Sequence, residues 1–571
     1  MNSETLVESF GHIADAPGGI DKLRGIVLDL AVNGRLVCQD PSDEPASELL
    51  SRVCKEREGN ERRRRARRHQ PAISEEAGGV SWPYPAPAGW AWSTLGALFG
   101  MQAGKNVPSG TIREAGSYPC YGGNGIRGYV DSFNRDGSHP IIGRQGALCG
   151  NVKIAHGRFF ATEHAVVVDV FAGTSVTWAG LALRALNLNQ YATATAQPGL
   201  SVERISEVPI PVPPLAEQLR IVERVTDLTA LCDQLERQQA ARVEARSTLT
   251  ASTLKRVVEA EPVNDLRAAV RAFADNIGLH LAPGQGDLAA LNRVRQTILE
   301  LALRGRLTRH STDDEPASRL VERANASRGA LPRRGGQRSA PSPLPGTADV
   351  PFSLPDTWQW HRLGEICQSR LGKMLDDRKN TGVPRPYLRN TNVQWGRFNL
   401  DDIKEIRLED DELEEYSLRD GDLLVVEGGE PARCAIWDNS LADGVMVFQK
   451  ALHRVRPGEG VSARYIALVL RNGVDSGRIT ELFTGSTIKH LTGEKLKGFL
   501  VPLPPTAEQH RIVDRVTDLF ALCDDLEGQL SAASTLRGDV AASVAAHAAS
   551  SPTTDNDDDV PLVAEVGTPT R

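Results

Sequence analysis

AEQLRIVERVTDLTALCDQLE, from Ala216 to Glu236, returns as AEQHRIVDRVTDLFALCDDLE from Ala507 to Glu527, 291 residues later. A match of that length does not arise by chance within one chain, so every other feature is sought twice. LDLAVNGRL (Leu28 to Leu36) pairs with LELALRGRL (Leu299 to Leu307), and DEPAS follows each, at Asp43 and Asp314, both at an offset of 271. GWAWSTLG, with Trp90 and Trp92, pairs with TWQWHRLG, with Trp358 and Trp360, at an offset of 268. Each half therefore runs in one order: an LA-x-x-GRL helix, a linker, W-x-W, a variable stretch, then PP-x-AEQ. The offset grows from 268 to 291 across the variable stretch, so the second one is 23 residues longer. Between their shared borders the two variable stretches are unlike. One frame around two inserts points to one architecture that presents two different surfaces.

The AEQ stretches read as long amphipathic helices. Pro213-Pro214 and Pro504-Pro505 stand just ahead, where proline is tolerated at a helix start. In the second copy apolar residues recur at Ile512, Val516, Leu519, Cys523, Leu526, Leu530 and Ala533, and in the first at Val222, Val225, Leu228, Cys232 and Leu235. Steps of three and four residues make a coiled-coil seam rather than a strand pattern. Leu228, Cys232 and Leu235 with Leu519, Cys523 and Leu526 are the expected seam, serving the helix core or subunit docking. From Leu215 to Glu261 such a helix reaches about 70 Å at 1.5 Å per residue. That is a ruler of roughly two turns of B-DNA, at about 34–36 Å each.

A chain of 571 residues holds several domains, because single cores rarely grow past about 250–300 residues. No apolar run approaches the roughly 20 residues that span a bilayer. MNSETLVESFGH has neither the basic start nor the apolar stretch of a signal peptide, so a cytoplasmic protein with no membrane partner is expected. The eight cysteines form no C-x-x-C pair, and the twelve histidines are dispersed, which removes the usual metal spacings. The net charge of −7 hides two basic patches, Arg52 to His69 and the cluster Arg323, Arg328, Arg333, Arg334 and Arg338. An acidic tail with Asp555, Asp557, Asp558 and Asp559 offsets them. Pro332 to Pro351 and Glu75 to Pro87 read as linkers.

The variable stretches, Trp92 to Pro213 and Trp360 to Pro504, mix short β-type runs (HPIIG, VKIAH, AVVVDVF) with glycine-rich turns and one helical run, VTWAGLALRALN. Arg, Lys, Asn, Gln, His and aromatic residues lie between the turn glycines. Such side chains bond base edges and phosphates, although solvated turns have the same composition. Catalytic motifs are scarce. GNGIRG (Gly123 to Gly128) fits a dinucleotide fingerprint only between a strand and a helix, and YVDSF after it reads as strand. Asp356, Asp377 and Lys379 loosely imitate a metal-dependent nuclease, in which two carboxylates would hold Mg²⁺. No phosphate-binding G-x-x-x-x-G-K-[ST] loop and no N-P-P-[YF] tetrapeptide is present. A stand-alone nuclease and a coiled-coil adaptor that binds only proteins are the rival readings.

The order LDLAVNGRL–DEPAS, W-x-W-x-x-LG, variable stretch, PLPP-x-AEQ-x-RIV, given twice, resembles the specificity subunits of type I restriction–modification enzymes, from about Ile20 to about Val544. YGGNGIRGYVD, IIGRQGALCGNV and FFATEHAVV look like one class of their target-recognition domains. GKMLDDRKNTGVPRPYLRNTNVQWGRF, GDLLVVEGGEPARCAIW and FQKALHRVRP look like another. The resemblance implies an α+β chain: two globular α/β target-recognition domains separated by long antiparallel coiled-coil helices, with an internal pseudo-twofold repeat. It implies that each domain reads one half of a bipartite, asymmetric site in double-stranded DNA. The helices would dock two adenine-methyltransferase subunits, and ATP-dependent restriction and translocase subunits would join them. S-adenosylmethionine, ATP and Mg would sit on those partners, with no cofactor and no catalysis in this chain. The N-terminal LDLAVNGRL helix should pack with the C-terminal AEQ helix.

The expected segments are 1–80 (helix and basic linker), 81–213 (first recognition domain), 214–330 (central helices), 331–504 (second recognition domain), 505–549 (C-terminal helix) and 550–571 (disordered acidic tail). Expected DNA contacts are Tyr121, Asn124, Arg127, Arg144, Gln145 and His164 in the first domain. In the second they are Lys373, Arg389, Asn390, Asn392, Gln394, Gln449 and Lys489. Arg62, Arg63, Arg64, Arg65, Arg67 and Arg68 are expected on phosphates, with a steep salt dependence.

Overall fold

The computed structural model describes residues 10–550 except 12, 66–84, 147, 172, 194–198, 262, 282–286, 330–349, 377, 379 and 443. The acidic tail and most of both expected linkers lie outside the described residues. The chain divides into two compact units, Met1–Arg242 with Ala533–Arg571, and Val243–Ala532. Each mixes helix and sheet, and each takes part of two 45-residue helices, Leu215–Glu259 and Thr506–Ser550.

In the first unit the helix Gly19–Val32 buries Leu23, Val27 and Leu30, one side chain per turn of a single face. It ends where Gly34 takes a left-handed φ of 65°, which lets Arg35 N donate back to Leu30 O at 2.9 Å. Ile221, Val225, Leu228 and Cys232 of the long helix share its core, with Leu235 half-buried beside them. Ala541, from the far end of the last helix, is buried in the same cluster, and Lys22 Nζ donates to Gly538 O at 3.3 Å. The expected packing of the N-terminal helix on the C-terminal AEQ helix is therefore present.

The second unit repeats these bonds with the counterpart residues. Gly305 turns at φ 70° and Arg306 N donates to Leu301 O at 2.9 Å. Arg293, counterpart of Lys22, donates to Ser247 O, counterpart of Gly538. Arg24 bridges Asp233 and Glu236 at 2.6 and 2.7 Å, and Arg295 bridges Asp524 and Glu527 at the same two distances. Arg220 grips Asp43 at 2.7 Å, as Arg511 grips Asp314 at 2.5 Å. Two residues of each AEQ triplet are buried and engaged. Trp90 Nε1 donates to Glu217 and Trp358 Nε1 to Glu508, both at 2.9 Å. Gln218 and Gln509 each accept the backbone N–H of a serine, Ser175 or Ser462, at 2.8 Å. The serine in turn caps the helix of the variable region, Val176–Ala185 or Ala463–Asp475. The repeated letters are thus repeated hydrogen bonds.

One seam residue departs from expectation. Leu526 is 39% exposed and Leu519 half-buried, whereas Ile512, Val516 and Cys523 are buried. Leu530 resumes the packing, against Leu281, Ala290 and Leu291. A strict three–four stripe drifts around a straight helix, so its members do not all face one core.

The unlike variable regions share a topology. The first has an antiparallel sheet in the order Gly100–Ala103, Ala165–Asp169, His139–Gly143, Val152–Ala155. The second has Cys367–Leu371, Leu452–Pro457, Leu423–Val426, Cys434–Ile436 in corresponding places. Each carries a second sheet with one parallel pairing, Cys120 beside Phe160 or Leu388 beside Phe448. Each is closed by an antiparallel ribbon that starts at W-x-W and ends at the prolines, Ala91–Thr94 on Pro209–Val212 and Gln359–Arg362 on Leu500–Leu503. Most of the extra length of the second region falls between Leu388 and Leu423, where the small hairpin Val393–Gln394 and Arg397–Phe398 sits.

Candidate nucleic-acid interface

In the first variable region three loops meet: the hairpin turn after Gly122, the loop after Gly143 and the turn Thr162–His164. They approach so closely that a Cβ on Gly143 would stand 2.1 Å from Gly123 O. Gly123, Asn124, Arg127, Gln145, Leu148 and His164 line a cavity of about 400 Å³ between them. Four of the six expected contacts of this domain thus come together. GNGIRG sits within a hairpin, Tyr118–Gly122 to Gly125–Val130, without the helix that a dinucleotide site needs.

The backbone at the cavity is fixed from both sides. Arg144 N donates to His164 O and Leu200 N to Arg144 O, both at 2.9 Å. Arg144 Nε also donates to Leu200 O at 3.1 Å, which turns this side chain to bracing the loop. Tyr121 packs its ring edge-on against Phe159 at 5.4 Å, and burial raises its hydroxyl pKa. Neither residue lines the cavity; both support it. Gln145 and His164 face each other, with Nδ1 2.7 Å from Oε1. Arg127 is exposed and has no ion pair among the described residues.

The second region gathers its candidates around the turn Gly428-Gly429, which follows the strand Leu423–Val426 as Arg144-Gln145 follow His139–Gly143. Asn390 Nδ2 donates to Gly428 O at 3.1 Å, and Gly429 N to Lys489 O at 3.3 Å. Lys489 is exposed. Four expected contacts commit their side chains elsewhere, and Gln449 is held by its backbone. Asn392 is 3% exposed, its Nδ2 donating to Asn399 O and Asp402 O and its Oδ1 accepting from Arg389 N, so no polar atom is left for a base. Arg389 holds Asp402 at 2.5 Å and keeps that carboxyl below its usual pKa. Lys373 pairs with Glu412 and lies over the Tyr416 ring. Gln394 Nε2 donates to Thr391 O at 3.1 Å, and Gln449 N to Leu388 O.

Sequence reasoning missed Arg433 and His490, which join the Gly428 turn through Asn390 O and Glu427. It also missed Lys105. Lys105 pairs in parallel with Thr162 as Lys373 does with Gln449, and each follows a glycine wedged against the carbonyls of the next strand. The signal was available, since Gly104-Lys105 and Gly372-Lys373 stand at the W-x-W offset of 268. Lys105 is exposed and its amine has no partner among the described residues.

Arg62 to Arg65 end the helix Ala46–Arg65, and Arg67 and Arg68 lie outside the described residues. Asp377 and Lys379 also lie outside them, and Asp356 is an exposed turn residue. Among the described residues no three His, Cys, Asp or Glu side chains group as a metal site, and no helix is long and apolar enough to cross a membrane.

Fold and site define a class: a twice-built helical frame that displays two loop-made polar surfaces. Residues 87–245 and 355–533, more than half of the chain, match the family model described as type I restriction modification DNA specificity domain, and the chain belongs to that family. It is 29% identical over 562 residues to the specificity subunit of the type I restriction enzyme EcoAI of Escherichia coli, covering 89% of this chain and 90% of that one. The EcoEI specificity subunit of Escherichia coli is 27% identical over 565 residues, 90% and 91% of the two chains. That of EcoprrI, also from Escherichia coli, is 51% identical over 132 residues, 22% of this chain and 33% of the other. Among solved structures, the HsdS subunit from Thermoanaerobacter tengcongensis is 15% identical with a TM-score of 0.37, covering 82% of this chain and 98% of that one.

Proposed function

We propose that this chain is the DNA-reading subunit of a type I restriction–modification complex, and that it performs no chemistry itself. Each variable region reads one half of a bipartite, asymmetric site. The two long helices pack antiparallel about a pseudo-dyad, hold the readers apart and dock two adenine-methyltransferase subunits. Those partners bind S-adenosylmethionine and flip the adenine out of the duplex, and ATP- and Mg-dependent restriction subunits join them for cleavage.

The observation that carries this reading is the pairing of identical frames with unlike inserts of one topology. In the first reader Asn124, Arg127, Gln145 and His164 face DNA, with Lys105 on the backbone beside them. In the second Asn390, Lys489 and His490 do so, with Arg389, Arg433, Gln394 and Gln449 shaping the loops. Arg62 to Arg65, Arg67 and Arg68 take phosphates and give the complex its salt dependence.

Footprinting the chain on DNA together with its methyltransferase partner is the test. Two protected patches with an unprotected gap of one or two helical turns are expected. Protection of a single continuous patch, or of none, would leave a protein-binding adaptor as the better reading.

A further inference from the structure

Gln145 stands in the first cavity with three neighbours that fix how it can act. Its backbone is clamped by the Arg144–His164 and Leu200–Arg144 hydrogen bonds and by a bridge to Gly199. Its amide oxygen lies 2.7 Å from His164 Nδ1. The other ring nitrogen, Nε2, lies 3.2 Å from Glu163 Oε1. Glu163, His164 and Gln145 thus form a line in which a carboxylate holds an imidazole and the imidazole holds an amide. The remaining oxygen of Glu163 is buried without a hydrogen-bond partner among the described residues. Such an orphaned atom is destabilising, and in native structures it calls for a reason.

We infer that Gln145 reads an adenine in the first half-site, and that Glu163 and His164 are positioning residues that set its amide. This rests on the DNA-reading function proposed above and names the base. A glutamine amide presents an acceptor beside a donor, and in the major groove adenine presents the complementary pair, N6–H₂ and N7. The imidazole occupies one flank of the amide, which leaves an oxygen lone pair and an N–H for that base edge. A free glutamine would lose rotamer entropy on binding and could turn its amide over to suit another edge. Held by His164, it is set before DNA arrives. Leu148, 51% exposed on the same cavity, adds an apolar surface. The thymine of an A·T pair offers its methyl group in the same groove.

The complex of this chain with its methyltransferase subunits is first given its motif by sequencing the methylated adenines it leaves in a host free of adenine methylation. Duplexes carrying that motif are then changed one base pair at a time, and adenines are separately replaced by 7-deazaadenine, which lacks N7. At one A·T pair of one half, the 7-deaza base should weaken wild-type binding about tenfold. Gln145→Ala should lose that sensitivity at the same pair while the other half-site stays as selective as before. Glu163→Ala should relax the same pair without lowering the melting temperature of the complex, and Glu163→Gln, which keeps an acceptor for the imidazole, should restore most of the selectivity. The inference is overturned if Gln145→Ala alters a G·C pair or no pair, or if Glu163→Ala weakens all sequences equally. A wild-type complex that leaves no two-part motif removes the underlying function and this inference together.

Discussion

Glu217 and Glu508 hold one place in two copies of a helix start and differ in the company they keep. Glu508 accepts from Trp358, Thr308 and His310, which serve both of its oxygens. At the positions of Thr308 and His310 the first copy has Val37 and Gln39, and Gln39 turns to Gly34 O. Glu217 therefore keeps one buried oxygen with no partner among the described residues, and burial raises its pKa to about 7. Below about pH 4.5 the carboxyl is neutral whether folded or unfolded. As pH rises towards 7 the unfolded chain gives up this proton while the folded chain keeps it, so stability falls across that window and stays low above it. The loss is of order 3 kcal/mol. Glu217→Gln should remove this slope, so that thermal unfolding of the variant exceeds wild type at pH 8 and matches it near pH 5. An unchanged slope would show that another group titrates. The same scale marks where sequence reading stopped. Asn390 and Asn392 are two residues apart and alike in chemistry, yet Asn392 folds inward to hold its own loop. Composition named the residue types of the surface and carried no information about their direction.

The helices were legible because periodicity and packing are both local to them. Buried Leu228 and Cys232 follow from the spacing. The spacing also predicted Leu526, which the helix rotates towards solvent. Leu228→Ala should therefore cost about 2–5 kcal/mol by cavity formation, and Leu526→Ala less than about 1 kcal/mol, in denaturant titrations of the two variants. Equal losses would place Leu526 in a core. The strands were legible as runs, but their order was not. They are two to six residues long, and the pairs Cys120–Phe160 and Leu388–Phe448 join strands of remote sequence. Nothing in a run of four residues names a partner some forty or more positions away. The residues of two frame contacts, by contrast, stand in the repeated letters: Trp with Glu and Arg with Asp.

At the scale of the molecule the proposed function is modular. Replacing residues 92–213 with another domain bounded by the same W-x-W and Pro-Pro borders keeps the Trp90–Glu217 bond. Such a chimaera should methylate a motif changed in one half only, which methylome sequencing reads directly. Changes in both halves would mean that the inserts do not read separately. The two helix-to-helix bonds have a further implication. Lys22 belongs to the first copy and reaches Gly538 of the second, whereas Arg293 belongs to the second and reaches Ser247 of the first. Residue i of one copy meets residue j of the other and the reverse, which is the rule of an isologous dimer interface. Two identical half-length polypeptides could make both bonds at once, and such a pair would be held to a palindrome. Fusing them into a single polypeptide lifts that restriction, and each reader becomes free to drift to a word of its own.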